Sequence, residues 1–264
     1  MKLPLYQVDA FTSELFSGNP AAVCPLDSWL DDRTLQCIAA ENNLSETAFL
    51  VRSGAGFELR WFTPLVEVSL CGHATLASAY VVFEILGWPR EAISFQTRKS
   101  GVLTVTRRGG LLEMDFPARP AVPLEEPAGL ERALGARPEL VLGSAEDLLV
   151  ILADERTVRE LRPDFTALAG IESRGIIVSA RGGPGDFVSR FFAPAVGILE
   201  DPVTGSAHCV LVPYWARVLG KQDLHAVQVS RRGGELFCRD RGERVTIAGK
   251  AVLYLKGEIA LPDV

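Results

Sequence analysis

Two apolar blocks stand out along the chain because neither has a polar face. Residues Ala74 to Phe83, and again Cys209 to Trp215, are small or apolar at nearly every helical position. That pattern predicts two helices enclosed on all sides rather than lying on a surface. Each block opens after a glycine (Gly72, Gly205) and stops at Leu-Gly (Leu86-Gly87, Leu219-Gly220), where the glycine suits the left-handed position after a helix end. The predicted spans are His73–Leu86 and Ser206–Leu219, with Pro213 expected to kink the second. An alternating strand that ends in a Phe-x-Pro turn precedes each helix, and hairpin-like strands with Gly-rich turns follow it.

These similarities extend to a register. Arg60-Trp61-Phe62-Thr63-Pro64 matches Arg190-Phe191-Phe192-Ala193-Pro194 at an offset of 130. Gly72-His73-Ala74 then matches Gly205-Ser206-Ala207 at 133, and so do Leu86-Gly87 with Leu219-Gly220 and Thr97-Arg98-Lys99 with Ser230-Arg231-Arg232. Four matches in order, with one three-residue insertion, describe an internal duplication. The insertion is assigned to the loop Glu200-Asp201-Pro202-Val203, and Glu46 falls opposite Ile176. Phe116 to Pro127 is Pro-rich without helical or strand period and reads as a linker. The halves are therefore expected at 1–117 and 118–264, with the last strand able to pack back on the first lobe, and a site is expected where the halves meet.

The bulk chemistry narrows the partners. A chain of 264 residues with formal net charge −6 offers no basic face for nucleic-acid phosphates or an anionic membrane, so neither is expected as a partner. Met1 to Tyr6 runs straight into a strand-like pattern without a signal segment, and the apolar stretch near Ala77 is too short to span a bilayer, which makes the cytoplasm the expected location. Five scattered cysteines without a C-x-x-C pair fit neither a disulfide framework nor a zinc ribbon.

Inside the duplicated frame the polar residues differ, and the differences suggest specialised roles. His73 begins one helix where Ser206 begins the other, Asp201 sits before the second, and Glu46 lies between a helix end at Asn42-Asn43 and a strand. Together these four supply a base, an acid and hydrogen-bond donors, the set needed to move a proton on carbon. Glycine-led helix starts are natural anion sites, so a carboxylate substrate fits them.

Three segments then resemble the phenazine-biosynthesis-like (PhzF) family: Asn43 to Phe49, Leu70 to Ala77 and Glu200 to Ala207, supported by Asp9 to Thr12 and Gly18 to Val23. The resemblance covers essentially the whole chain. It implies an α+β, diaminopimelate epimerase-like fold of two pseudo-symmetric lobes, each an open barrel-like β-sheet around a central helix. It also implies a cofactor-independent isomerase with Glu46 as acid/base and His73 and Asp201 as its catalytic companions. Gly72, Thr204, Gly205 and Ser206 would bind a small carboxylate-containing molecule, no metal is expected, and a homodimer accords with family habit.

Two other readings stand beside it. A two-base epimerase or racemase would use Cys71, but its matched position is Thr204, a poor proton carrier. A small-molecule-binding protein without catalysis would have no need to keep Glu46. Cys71, His73, His208 and Cys209 cluster at the matched helix starts, yet their spacing is no zinc signature, and buried apolar cysteines are the simpler expectation.

Overall fold

A computed structural model describes residues 1–262 of the chain. It divides into two compact units, one made of Met1–Asp115 and the chain from Ala248 onward, the other of Phe116–Ile247. In the first unit, β1 (Lys2–Ala10) pairs antiparallel with β2 (Asn19–Leu26), which runs parallel to β3 (Glu46–Ser53) across the crossover helix α1 (Asp32–Asn42). β3 turns antiparallel into β4 (Gly56–Phe62), which also carries the short β5 (Glu67–Val68). After α2 (Gly72–Tyr80), β6 (Ala92–Thr97) returns parallel to β4 and leads into antiparallel β7 (Val102–Arg108) and β8 (Leu111–Pro117).

The second unit opens with β9 (Val122–Pro123), joined through α3 (Leu130–Leu134) to its partner β10 (Leu140–Gly143). From there the pattern of the first unit recurs. β10 is antiparallel to β11 (Asp147–Ile151), and β11 is parallel to β12 (Gly175–Arg181) across α4 (Glu155–Glu160) and α5 (Phe165–Ala169). β12 is antiparallel to β13 (Phe187–Ala193), which carries β14 (Ile198–Asp201). After α6 (Gly205–Leu219), β15 (Asp223–Gln228) runs parallel to β13 and pairs with β16 (Gly234–Asp240), followed by β17 (Arg244–Gly249). The last strand, β18 (Ala251–Ala260), belongs to the first unit and lies antiparallel to β1 from Lys2 opposite Ala260 to Ala10 opposite Ala251. Strands β1 to β7 with α2 thus correspond to β10 to β16 with α6.

The apolar blocks become the central helices of these sheets. In α2 every residue from His73 to Ala79 is buried, and the helix packs on β1, β2, β3 and β18. It ends earlier than expected: after Tyr80 the chain widens into a π-turn, Val81–Ile85, which keeps Val81, Val82 and Phe83 buried before Gly87 takes φ 67°. The helix α6 has the expected span, but its enclosure is partial, because Arg217 and Val218 in the last turn are exposed. Pro213 is accommodated inside it. The carbonyl that a proline leaves without a donor, that of Cys209, accepts instead from the backbone N–H of Arg119 at 2.9 Å.

That bond also corrects the reading of residues 116–127 as a bare linker. Phe116 and Pro117 close β8, and Val122–Pro123 pair with Leu142–Gly143. Two residues at a sheet edge are too few to leave a periodic signature, and proline is tolerated there because its missing N–H is not needed.

Register corrects two further expectations. Phe62 stands opposite Thr47, and its counterpart Phe192 stands opposite Ile176. Glu46, one residue earlier, therefore corresponds to Gly175 and not to Ile176. Across the next pairing, Trp61 faces Val68 and Phe191 faces Asp201. Asp201 is thus no part of an insertion; it takes the place of Val68. The extra residues lie earlier, where a 3₁₀ turn (Pro194–Val196) and Gly197 at φ 85° lengthen the loop and the β13–β14 register slips.

The duplication also repeats a buried clasp beside each site-bearing loop. Arg60 donates Nε and Nη2 to the two carboxylate oxygens of Glu67 at 2.8 and 2.8 Å. Arg190 grips Glu200 through the same two nitrogens at 2.7 and 3.0 Å. The forks lie over the Phe62 and Phe192 rings, each 4.9 Å from the ring centre. Planar bidentate pairing of this kind fixes direction as well as distance.

Candidate active site

Glu46 is placed by a helix stop. Asp31 caps α1 by accepting from the Thr34 N–H, Leu35, Ile38 and Ala39 form its buried stripe, and Asn43 closes it in the left-handed conformation at φ 49°. The chain then turns so that Glu46 is the first residue of β3, beside Ala21 of β2. His73 is placed by a helix start: Cys71 is the extended N-cap of α2, Gly72 its first residue, and the Thr75 hydroxyl donates to the Cys71 carbonyl at 2.6 Å.

These two elements bring three sequence-selected side chains together. His73 Nε2 lies 3.1 Å from Glu46 Oε2, and His73 Nδ1 lies 3.5 Å from the Cys71 sulfur. Cys71 and His73 are buried. Glu46 Oε2 is also buried, and although His73 is close, the oxygen accepts no well-aligned hydrogen bond among the described residues.

Burial alone would push the Glu46 carboxyl up, but the His73 imidazolium and the Cys71 thiol outweigh it and hold it below its ordinary value. Burial likewise opposes a charged His73, yet the Cys71 sulfur and the Glu46 carboxylate raise it well above the usual imidazole value. Cys71 is pushed up to about 11, by burial first and by the Glu46 charge second, so at neutral pH it is a thiol. Glu46 is then the anionic partner of His73.

In the second unit the matched helix start is built differently. Thr204 is the N-cap of α6, where Cys71 caps α2. Its hydroxyl donates to Asp201 Oδ2 at 2.5 Å and accepts from Gln228 Nε2 at 3.1 Å, while its own N–H donates to Gln228 Oε1 at 2.8 Å. Gln228 Nε2 also donates to the Asp201 carbonyl at 2.8 Å. Ser206, in His73's place, accepts from Arg174 Nη2 at 3.2 Å. Arg174 is itself held by the buried Asp147, with Nε to Oδ1 at 2.9 Å and Nη2 to Oδ2 at 2.5 Å. Gly205 opens α6 as Gly72 opens α2. His208 donates from Nδ1 to the Thr204 carbonyl at 2.8 Å, the task Thr75 performs in α2; burial pushes its pKa down to about 4, which leaves the ring neutral.

Asp147, Arg174 and Gln228 escaped the sequence reading. The signal was present but shifted: with Gly175 aligned on Glu46, Arg174 is the residue immediately before β12, and Asp147 is the β11 residue facing Gly175.

The description "Phenazine biosynthesis-like protein" belongs to the family model, PhzC-PhzF, that matches residues 8–257. The chain belongs to this family. Among its PhzF-family relatives, a Pseudomonas aeruginosa protein named as an uncharacterized isomerase is 58% identical over 99% of this chain and 100% of its own. The crystal structure of a PhzF family protein from Enterococcus faecalis superposes with a TM-score of 0.96 at 46% identity, covering 99% of this chain and 100% of that one. A hydroxyproline epimerase from Agrobacterium vitis shares the fold at a TM-score of 0.64 and 9% identity, covering 99% and 93% of the two chains. The fold is thus α+β of the epimerase type. Among the described residues no helix is long and apolar enough to cross a membrane, which says nothing of a β-barrel.

Proposed function

We propose that this PhzF-family protein is a cofactor-independent isomerase that moves a proton on a small carboxylic or cyclic amino acid, with Glu46 as the acid/base. One observation carries the reading: a largely buried carboxylate, kept ionised, stands 3.1 Å from a histidine that its own charge helps keep protonated. The name of the P. aeruginosa relative, an isomerase, agrees with it.

In this mechanism the Glu46 carboxylate removes a proton from a C–H activated by neighbouring unsaturation and returns it to another carbon. His73, as imidazolium, offsets the negative charge that delocalises into the substrate while the proton is on Glu46. Asp201 polarises the substrate, and Gly72, Thr204, Gly205 and Ser206 bind it. Since Arg174 donates to Ser206 Oγ, the serine hydroxyl proton is left to donate to a substrate carboxylate. Thr204 in the place of Cys71 supports a single base over a cysteine pair, because a threonine hydroxyl does not carry protons at neutral pH. We further place the protein in the cytoplasm, where its five free cysteines stay reduced, as a homodimer without nucleic-acid or membrane partners.

The experiment is solvent deuterium incorporation, read by NMR and mass spectrometry, over a panel of small carboxylic and amino acids that includes dihydro-hydroxyanthranilate. Wild type should exchange or migrate a double bond in at least one member, and Glu46→Gln should lose this by about 10²-fold or more while still binding the compound. Turnover retained in Glu46→Gln sinks the assignment. Exchange that survives Glu46→Gln but vanishes in Cys71→Ser would move the base to the cysteine.

A further inference from the structure

The two halves use their matched arginines differently. In the second unit, Arg190 Nη1 donates to the Val158 and Leu161 carbonyls, where α4 ends, at 3.2 and 3.1 Å. The first unit has one crossover helix where the second has two, and it is the start of α1 that approaches its arginine. Arg60 Nε and Nη2 hold Glu67, and Nη2 also reaches Asp32 Oδ1 at 2.9 Å, but Nη1 meets no acceptor among the described residues. The Arg60 side chain is only 3% exposed, and a buried donor of this kind calls for a partner.

Arg60 lines a cavity of about 220 Å³ together with Trp29, Glu58, Gln96 and Arg98. Glu58 and Arg60 alternate along β4, and Gln96 of β6 pairs with Glu58, so the three share one face of the sheet. Trp29 forms a wall. Its ring centre lies 5.2 Å from the Arg60 guanidinium carbon, and its Nε1 donates to Glu58 Oε2 at 2.6 Å, which leaves Glu58 Oε1 as an acceptor. A cavity of about 150 Å³ holds benzene, so this one has room for such a ring with one further group. Charge decides the group. The carboxylates of Asp32, Glu58 and Glu67 outnumber the guanidinium groups of Arg60 and Arg98, whose Nη1 lies 3.5 Å from both Asp32 Oδ2 and Glu67 Oε2. That excess disfavours an anion, while the donor at Arg60 Nη1 disfavours a cation and asks for a carbonyl oxygen.

We propose that this cavity binds a small, uncharged ring compound carrying a carboxamide. The amide carbonyl accepts from Arg60 Nη1, as the Val158 and Leu161 carbonyls accept from Arg190 Nη1. The amide NH₂ donates to Glu58 Oε1, and the ring lies against Trp29. The site belongs wholly to the first unit and uses none of the residues proposed for proton transfer or substrate binding, so it stands apart from that reading.

The test titrates the full-length protein with benzamide and follows the Trp29 indole N–H by NMR, its signal assigned through Trp29→Phe. Benzamide should shift that signal saturably, with a Kd of about 1 mM or below. Benzoate, of the same shape but charged, should bind at least about tenfold more weakly, and Asp32→Asn should narrow that gap. Glu58→Gln can still accept from Trp29 but offers NH₂ in place of Oε1, so it should weaken benzamide about tenfold. Arg60→Lys should abolish the saturable shift, and Glu58→Gln carries the test if Arg60→Lys does not fold. Ser206→Ala, which alters the candidate active site, should change nothing. The inference is overturned if benzamide gives no saturable shift of the Trp29 signal, or if benzoate binds as tightly as benzamide. It is equally overturned if Glu58→Gln leaves the affinity unchanged, or if Ser206→Ala removes the binding. Because the readout is binding at Trp29, it can succeed where the deuterium experiment fails, and the reverse.

Discussion

Gly175 begins β12 at the register position where Glu46 begins β3, so the proposed acid/base of one unit has a glycine as its counterpart in the other. The space is filled. A Cβ built on Gly175 would lie 2.2 Å from Phe191 Cζ and 3.1 Å from Asp147 Oδ1. The second unit has given that position to an aromatic ring and a carboxylate that holds Arg174.

Gly175→Ala should therefore destabilise the protein by about 1–3 kcal/mol, the usual cost of forcing a methyl into a packed site. Urea unfolding measures it. Phe191→Leu should recover part of the loss in the double variant, and a neutral Gly175→Ala would show that the ring yields freely.

Arg190→Ala should cost about 3–5 kcal/mol, because it leaves the Glu200 carboxylate without its fork and the Val158 and Leu161 carbonyls without the Nη1 donor they share. Arg190→Lys should not rescue it, since a point charge cannot reproduce four directed bonds. Arg60→Ala should cost less, because its second acid, Asp32, is mostly exposed. Equal losses in the two units, read from chemical denaturation, would contradict this ordering.

His208 should make the protein acid-sensitive. Its folded pKa, about 4, lies below the ordinary value of 6.5, so the unfolded chain takes a proton first as pH falls. Above 6.5 neither state is charged and nothing is lost. Between 6.5 and about 4 stability should fall by up to about 3 kcal/mol. His208→Asn should flatten that part of the profile relative to wild type, and identical pH slopes would count against the assignment.

Arg174→Gln should lower kcat/KM for whichever substrate shows exchange by about 10–100-fold, the value of a hydrogen bond to a charged group. The effect should be non-additive with Ser206→Ala, since Arg174 acts through the serine hydroxyl. Additive losses would mean that Arg174 contributes in some other way.

Much of this was legible in the chain. The duplication appeared because Arg60 and Arg190, with the apolar helices behind them, are constrained by packing, and packing leaves periodic traces. Glu46 and His73 stood out because the polar residues differ at matched positions of the repeat, and the structure sets the two side chains 3.1 Å apart. Arg174 and Gln228 were not found, because each acts through side-chain bonds to residues 24 to 32 positions away, and no local period records such bonds. The Ile176 error had a similar origin. A sequence offset cannot see a one-residue change of register, which the β-ladder decides.

The return of β18 to β1 has a consequence for how the chain is made. Residues 116–247 form one uninterrupted segment, so the second unit can collapse on its own as it leaves the ribosome. The first unit is synthesised earlier but lacks an edge: β1 waits with one side unpaired until Ala251–Ala260 is made, after the whole of the second unit. The half that is made first is the half that must finish last, and until then the exposed side of β1 is open to any strand that reaches it before the right one.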